Sequence, residues 1–189
     1  MQRTREKITK AEIVKAALEL FVERGIKGTT TRELAERAGI AEGTIYRHFK
    51  GKDALALTLF MDCLDMFSSR LMASIQDLKN PFEKLKAAIK AFFNFAREEP
   101  SAYRYLMFVY DLELMNVPQQ KLKPRDIFCQ IILQGIASSD FRRCEENLAA
   151  AMIIGMAMRA NFFWSHGFIK LDYDQLISEV ARAALAILV

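Results

Sequence analysis

Between Thr30 and Phe49 the sequence leaves room for two short helices, one tight turn and little else. Thr30-x-x-Glu33 is a capping-box pattern, in which a hydroxyl accepts the third backbone N–H and the glutamate reaches back to the cap's own N–H. The helix it opens is expected to run to about Arg37. Gly39 follows, and glycine turns a chain through positive φ at no steric cost. A second helix is predicted from about Ala41 to Phe49. Leu34 and Ala35 face inward from the first helix, and Ala35 is small where the two helices must cross closely. Ile40, Ile45 and Phe49 seal the second helix onto the core. Two helices at this spacing make a helix-turn-helix, which places its second helix in a major groove and its first across the backbone.

The remainder reads as helix too, and no stretch alternates like a strand. A first helix is expected to open at the Thr9-x-x-Glu12 box, bury Ile13, Ala17, Leu20 and Phe21, and stop at Gly25. Gly51-Lys52-Asp53 begins a long fourth helix, carried to about Lys79, before Asn80-Pro81 starts the fifth. A Tyr-rich helix is predicted from Ser101 to Leu114, and another from Arg125 to Ala137. Ser138-Ser139-Asp140 offers cap chemistry for a long eighth helix reaching His166. A last one spans about Tyr173 to Leu188, with Leu176, Ile177, Val180, Ala184 and Ile187 at helical spacing. The expected fold is all-α, about nine helices, divided into residues 1–52 and 53–189.

Charge separates the same two parts. Residues 1–52 hold 12 Lys and Arg against 7 Asp and Glu, while residues 53–189 hold 15 against 16. The basic excess therefore sits with the helix-turn-helix, where a polyanion would meet it.

Other classes find little support. There is no glycine-rich phosphate loop, no nucleophile elbow and no pair of histidines at ligand spacing, and His166 lies far in sequence from every cysteine. An enzyme is thus the remote alternative, and neither cofactor nor metal is expected. Cys63, Cys129 and Cys144 are odd in number and widely spaced, as for reduced, mostly buried thiols in a cytoplasmic protein. The N-terminus is basic and polar, unlike a secretory signal. Leu148–Trp164 is apolar over 17 residues but carries Arg159 and Asn161, short of the about 20 a spanning helix needs. It reads as a buried helix, with no membrane partner expected.

The stretch TTTRELAERAGIAEGTIYRHFKGKDALALTLF, and above all GTIYRHFKGKDAL before a long helix, closely resembles the DNA-binding domain of the TetR/AcrR family of bacterial regulators. KAALELFVERGIKG fits the same family upstream, so the specific resemblance covers about residues 9–60. It implies a regulator that binds double-stranded operator DNA. By the same resemblance Tyr46 and His48 match positions that grip phosphates, and Lys52 matches a phosphate contact at the start of helix four. Thr31 and Arg32 look like a phosphate contact and a base reader. Glu42, Gly43, Thr44 and Arg47 fall on the exposed face of the recognition helix. Glu42 is awkward there: it either accepts from a cytosine amine or pairs with Arg32 or Arg47, and pairing is the preferred reading. Arg3, Arg5 and Lys7 suggest a basic arm toward a phosphate or the minor groove. The family often has Ser or Thr where Ala41 stands, so this chain forgoes a cap of about 1 kcal/mol.

Seventeen of the 20 aromatic residues and eight of the nine Met follow residue 52. Plain helical core explains most of them. The resemblance adds a pocket for a small, apolar or amphipathic effector, with Phe67, Phe93, Arg97, Tyr103, Met107, Tyr110, Phe128, Met156, Arg159 and Phe163 as candidate lining residues. It also implies a homodimer through the last two helices, where Ala149, Ala150, Ala151, Gly155, Ala157 and Ala160 allow close approach. A dimer would present two recognition helices to a palindromic operator. A repressor released by its effector is the leading expectation; the alternative is an activating or ligand-independent regulator.

Overall fold

The computed structural model describes residues 2–113 and 116–189, the side chains of 2–9, 111 and 112 excepted. Among the described residues it contains α-helices and no strand. The helices are α1 (Gln2–Arg24), α2 (Thr31–Ala38), α3 (Glu42–His48), α4 (Lys52–Ile75), α5 (Pro81–Glu98), α6 (Pro100–Glu113), α7 (Pro124–Ala137), α8 (Glu146–Ser165) and α9 (Tyr173–Leu188). The all-α architecture expected from periodicity is the one observed.

Two compact units divide the chain, one of residues 1–63 and 99–118, the other of 64–98 and 119–189. They do not follow a single cut at 52/53, because α4 begins in the first unit and ends in the second, and α6 returns to the first.

In the first unit α1 packs on α2 and α6, and α2 on α3. Ile13, Ala17, Leu20 and Phe21 form the buried stripe of α1, and Leu34, Ile45 and Leu55 of the same unit are fully buried as well. Each of these Ile, Leu and Phe side chains contributes about 1.5–3 kcal/mol on burial. Phe21 stacks on Tyr105 at 6.0 Å between ring centroids, and the buried Tyr105 hydroxyl donates to the Ala56 carbonyl at 2.9 Å. Burial also pushes the Cys63 thiol up to about 12, with the charges of Asp62 and Glu99 adding to it.

The second unit packs α5 against α7, α8 and α9, with α7 on α8 and α8 on α9. Phe67 lies between Phe92 and Phe95, at 5.4 and 4.7 Å. The buried Tyr173 hydroxyl donates to the Phe93 carbonyl at 2.5 Å and lies 3.4 Å from the Asn161 amide oxygen.

The fold departs from the sequence expectations at three places. Helix α1 begins at Gln2, so Thr9 and Glu12 lie inside it, and residues 3–7 are helical backbone rather than a flexible arm. The side chains of Arg3, Arg5 and Lys7 lie outside the described residues. Next, Ser138-Ser139-Asp140 does not open α8. Ser138 closes α7, Ser139 turns at φ 62°, and Phe141 folds back so that its N–H reaches the Gly135 carbonyl at 3.0 Å. The α8 cap is Glu145, whose carboxylate takes the N–H groups of Asn147 and Leu148. Finally, α8 is not a buried helix within the chain. It is long and apolar enough to cross a membrane by length and composition, yet only 28% of its most apolar window is buried. Its inner edge is Ala149, Ala150, Ile153, Ala157 and Asn161, whereas Leu148, Met152, Phe162 and Phe163 are exposed.

Candidate nucleic-acid interface

The capping box predicted at Thr30 is complete. The Thr30 N–H donates to Glu33 Oε2 at 2.8 Å, and the Glu33 N–H donates to Thr30 Oγ1 at 3.2 Å. Arg24 adds an ion pair to the other Glu33 oxygen at 2.8 Å, tying the end of α1 to the start of α2. The Thr30 N–H and hydroxyl, with the Arg24 guanidinium beyond them, hold the Glu33 carboxyl below the ordinary glutamate range. Arg37 closes the far end of α2 on Glu19 and Glu23 at 3.1 and 3.4 Å.

The turn is also as the sequence predicts. Gly39 sits at φ 68°, ψ 32°, the left-handed conformation that ends a helix. The Ile40 N–H returns to the Ala35 carbonyl at 3.0 Å. Leu34, Ala35, Ile45 and Phe49 are buried, and Ile40 is partly covered. Ala41 stands at the α3 cap with no side-chain hydrogen bond. The recognition helix is therefore held by its packed underside rather than by its own cap.

With the underside buried, the opposite face is presented to solvent. Tyr46 is 56% exposed, and Arg32, Glu42, Gly43 and Arg47 are exposed beside it, with Thr31, Thr44 and His48 half-covered. A Cβ on Gly43 would meet nothing within 4 Å, so the backbone there offers an open approach. His48 lies against the Phe49 ring at 6.5 Å, at the edge of the core.

Glu42 does not pair with either arginine, contrary to the preferred reading. Arg32 Nε bonds Glu36 at 3.0 Å, and Arg47 donates to Thr44 Oγ1 at 2.9 Å. Glu42 instead accepts from Thr31 Oγ1 at 2.7 Å, and Tyr46 Oη lies 3.3 Å from that same Thr31 oxygen. A threonine hydroxyl has one proton and an ionised carboxylate can only accept. The proton of Thr31 thus goes to Glu42, and the Tyr46 hydroxyl is the donor to Thr31. The three residues form a relay, Tyr46 to Thr31 to Glu42, that joins α2 to both ends of α3.

Lys52 has a partner that local spacing does not reveal. Its ammonium donates to the Thr29 carbonyl at 2.6 Å, across 23 positions of chain. Thr29 is itself fully buried, its hydroxyl bound to the Gly25 carbonyl at 2.9 Å. An ammonium carries three donors, so this bond positions Lys52 and leaves donors for an anion.

The candidate effector residues fall into separate places. Tyr103, Met107 and Tyr110 belong to the first unit, and Phe67, Phe93, Phe128 and Met156 to the second. Phe67, Phe93 and Phe128 are core residues. Arg97, Arg159 and Phe163 are exposed rather than interior. Arg97 lies over the Tyr173 ring at 4.9 Å, and Arg159 over Phe162 and Phe163 at 5.0 and 5.4 Å. Among the described residues no cluster of three or more His, Cys, Asp or Glu is placed to hold a metal ion.

A rigid helix-turn-helix with a hydroxyl-, guanidinium- and ammonium-bearing outer face defines a DNA-binding protein of the helix-turn-helix class. Known proteins agree. Residues 13–59 match the family model for bacterial regulatory proteins, tetR family. Over 137 residues the chain is 30% identical to the HTH-type transcriptional repressor KstR2 of Mycolicibacterium smegmatis, covering 69% of this chain and 66% of that repressor. It is 28% identical over 178 residues to the fatty acid metabolism regulator protein of Bacillus subtilis, covering 89% of this chain and 90% of that protein. A crystal structure of the transcriptional regulator FadR from Bacillus subtilis in complex with stearoyl-CoA superposes with a TM-score of 0.74 at 26% identity, covering 92% of this chain and 96% of that one. This chain belongs to the TetR family of DNA-binding transcriptional regulators.

Proposed function

We propose that the protein is a cytoplasmic, homodimeric repressor that binds a palindromic operator and leaves it when a small amphipathic effector binds. The observation that carries the operator reading is the exposed face of α3 on a buried scaffold. On this reading Tyr46, His48 and Lys52 grip phosphates, the Tyr46 proton passing from Thr31 to a phosphate oxygen while Thr31 keeps its own proton on Glu42. Arg32, Thr44 and Arg47 approach the base edges past the open Gly43. The Arg32–Glu36 pair is no obstacle. Both side chains are largely exposed, at 81% and 64%, and such pairs contribute only about 0.3–0.5 kcal/mol. Either guanidinium exchanges its present partner for DNA at little cost.

Residues 1–52 then serve the operator, and residues 53–189 the effector and the second copy. The outward apolar edge of α8 supports dimerisation through α8 and α9. Leu148, Met152, Phe162 and Phe163 are exposed, and Gly155 has open space where a Cβ would stand. A second copy covering this edge would remove that surface from water.

For the effector, the relative bound to stearoyl-CoA supports an acyl thioester, an apolar chain on a charged head. The aromatic interior of the second unit, around Phe67, Phe93 and Phe128, suits the chain. Helix α4, continuous from Lys52 to Ile75, is the element through which effector binding shifts the population of operator-competent dimers.

The experiment is a fluorescence titration of operator DNA with and without stearoyl-CoA, with effector binding measured separately by calorimetry. Effector that binds and lowers operator affinity is the expected result. Effector that binds while operator affinity is unchanged or raised would replace the repressor with the activating or ligand-independent alternative. No binding of stearoyl-CoA would remove the acyl-thioester assignment alone.

A further inference from the structure

We infer that Glu42 is a base-specificity residue, aimed by Thr31, that reads the exocyclic amine of a cytosine in the major groove. The inference rests on the operator-binding reading and adds to it the identity of one base.

Among the described residues Glu42 has no ion pair, and its one side-chain partner is the Thr31 hydroxyl. It is an exposed carboxylate on the first turn of the recognition helix, and neither neighbouring arginine neutralises it. Brought against DNA, such a group is repelled by phosphate unless it finds a hydrogen-bond donor. It is also not loose. The Thr31 hydroxyl holds Oε1 at 2.7 Å. A carboxylate offers about four acceptor sites, so one bond to Thr31 orients the group without exhausting it.

The major groove supplies few donors to such a group. Guanine presents two acceptors, N7 and O6, and thymine presents O4 and a methyl group; both are unfavourable for an acceptor-only side chain. Adenine offers its N6 amine, but beside the N7 acceptor. Cytosine offers its N4 amine without an acceptor next to it on the same base. A fixed carboxylate therefore selects cytosine and penalises guanine and thymine through repulsion, a negative readout that a flexible residue would not provide.

The test is selection of bound duplexes from random sequence, with the wild-type chain and three variants checked for unchanged melting temperature. Wild type is expected to enrich cytosine at one position of each half-site. Glu42→Ala should flatten that position, losing about tenfold discrimination, while other positions keep their preference. Glu42→Gln should move the preference toward adenine, which a glutamine pairs through N6 and N7. Thr31→Val should weaken the cytosine preference without changing its identity, as expected of a positioning residue. Replacing that cytosine by N4-methylcytosine should weaken wild-type binding and leave Glu42→Ala unaffected. An unaltered base profile in Glu42→Ala, alongside normal selection by wild type, would overturn the inference and spare the operator reading. Failure of wild type to select any sequence would overturn both.

Discussion

The ammonium of Lys52 and the backbone carbonyl of Thr29 are 2.6 Å apart, a bond that joins the first residue of α4 to the loop between α1 and α2. It places a cation beside the helix-turn-helix with one donor already spent. The remaining donors are directed by a backbone whose buried Thr29 side chain is fixed on Gly25. Lys52 is in this sense a structural and an electrostatic residue at once, and the two roles separate experimentally.

Lys52→Met keeps the aliphatic stem and removes the charge. It should lower stability by about 1 kcal/mol, since the bond is charge-assisted but only part-buried. It should also weaken binding to every DNA sequence and reduce the slope of log affinity against log salt by about one. Thermal melts and salt-dependent titrations measure the two effects independently. A changed melting temperature with an unchanged slope would leave Lys52 with only its structural role.

Tyr46→Phe removes the neutral hydroxyl whose proton bonds Thr31 in the free protein and, on the operator reading, a phosphate in the complex. Loss of one phosphate hydrogen bond should weaken binding at all sequences by about fivefold. The salt slope should stay as in wild type, because no charge is lost. That contrast with Lys52→Met distinguishes a hydrogen-bonding grip from an ionic one in the same titration.

Glu33→Gln isolates the charge in the capping box, since glutamine keeps the geometry. The folded-state pKa of Glu33 lies below its ordinary value. Its ionisation therefore contributes stability that is fully present above that ordinary value and fades as pH falls through the lowered one. Wild type should melt higher than the variant at pH 7, and the two curves should converge in acid. A constant difference across the pH series would mean that charge is not what Glu33 contributes.

Gly135→Ala tests the turn that ends α7. A Cβ there would stand 2.1 Å from the Phe141 ring, and Phe141 is buried edge-on against Phe82 at 5.1 Å. The variant should lose about 1–3 kcal/mol through overpacking. Adding Phe141→Leu should return part of that loss in denaturant unfolding. Additive losses in the double variant would show that the ring is not the obstacle.

Much of this was legible along the chain because its causes are local. The Thr30–Glu33 box and the Gly39 turn each involve residues within a few positions, and Leu34, Ala35 and Ile45 are marked as core by helical spacing alone. The extension of α1 back to Gln2 was missed because a good cap pattern at Thr9 does not stop a helix already formed by straight-chain residues such as Gln2, Arg3 and Lys7. Likewise, Ser138 and Asp140 have cap chemistry, but the close packing of Phe141 on Gly135 spends it at the end of α7.

Sequence by itself determined that this chain is helical, that Thr30–Phe49 is a helix-turn-helix, and that its basic charge gathers there. Tertiary structure alone decided the distant partners of Glu42 and Lys52. Thr31 is 11 positions from Glu42, and Thr29 is 23 from Lys52, so no spacing rule relates them. It also decided that the apolar length of α8 turns its outer edge to solvent, because only packing against α5, α7 and α9 determines which side of a helix is left uncovered. Periodicity records which residues share a face; the fold determines what that face meets.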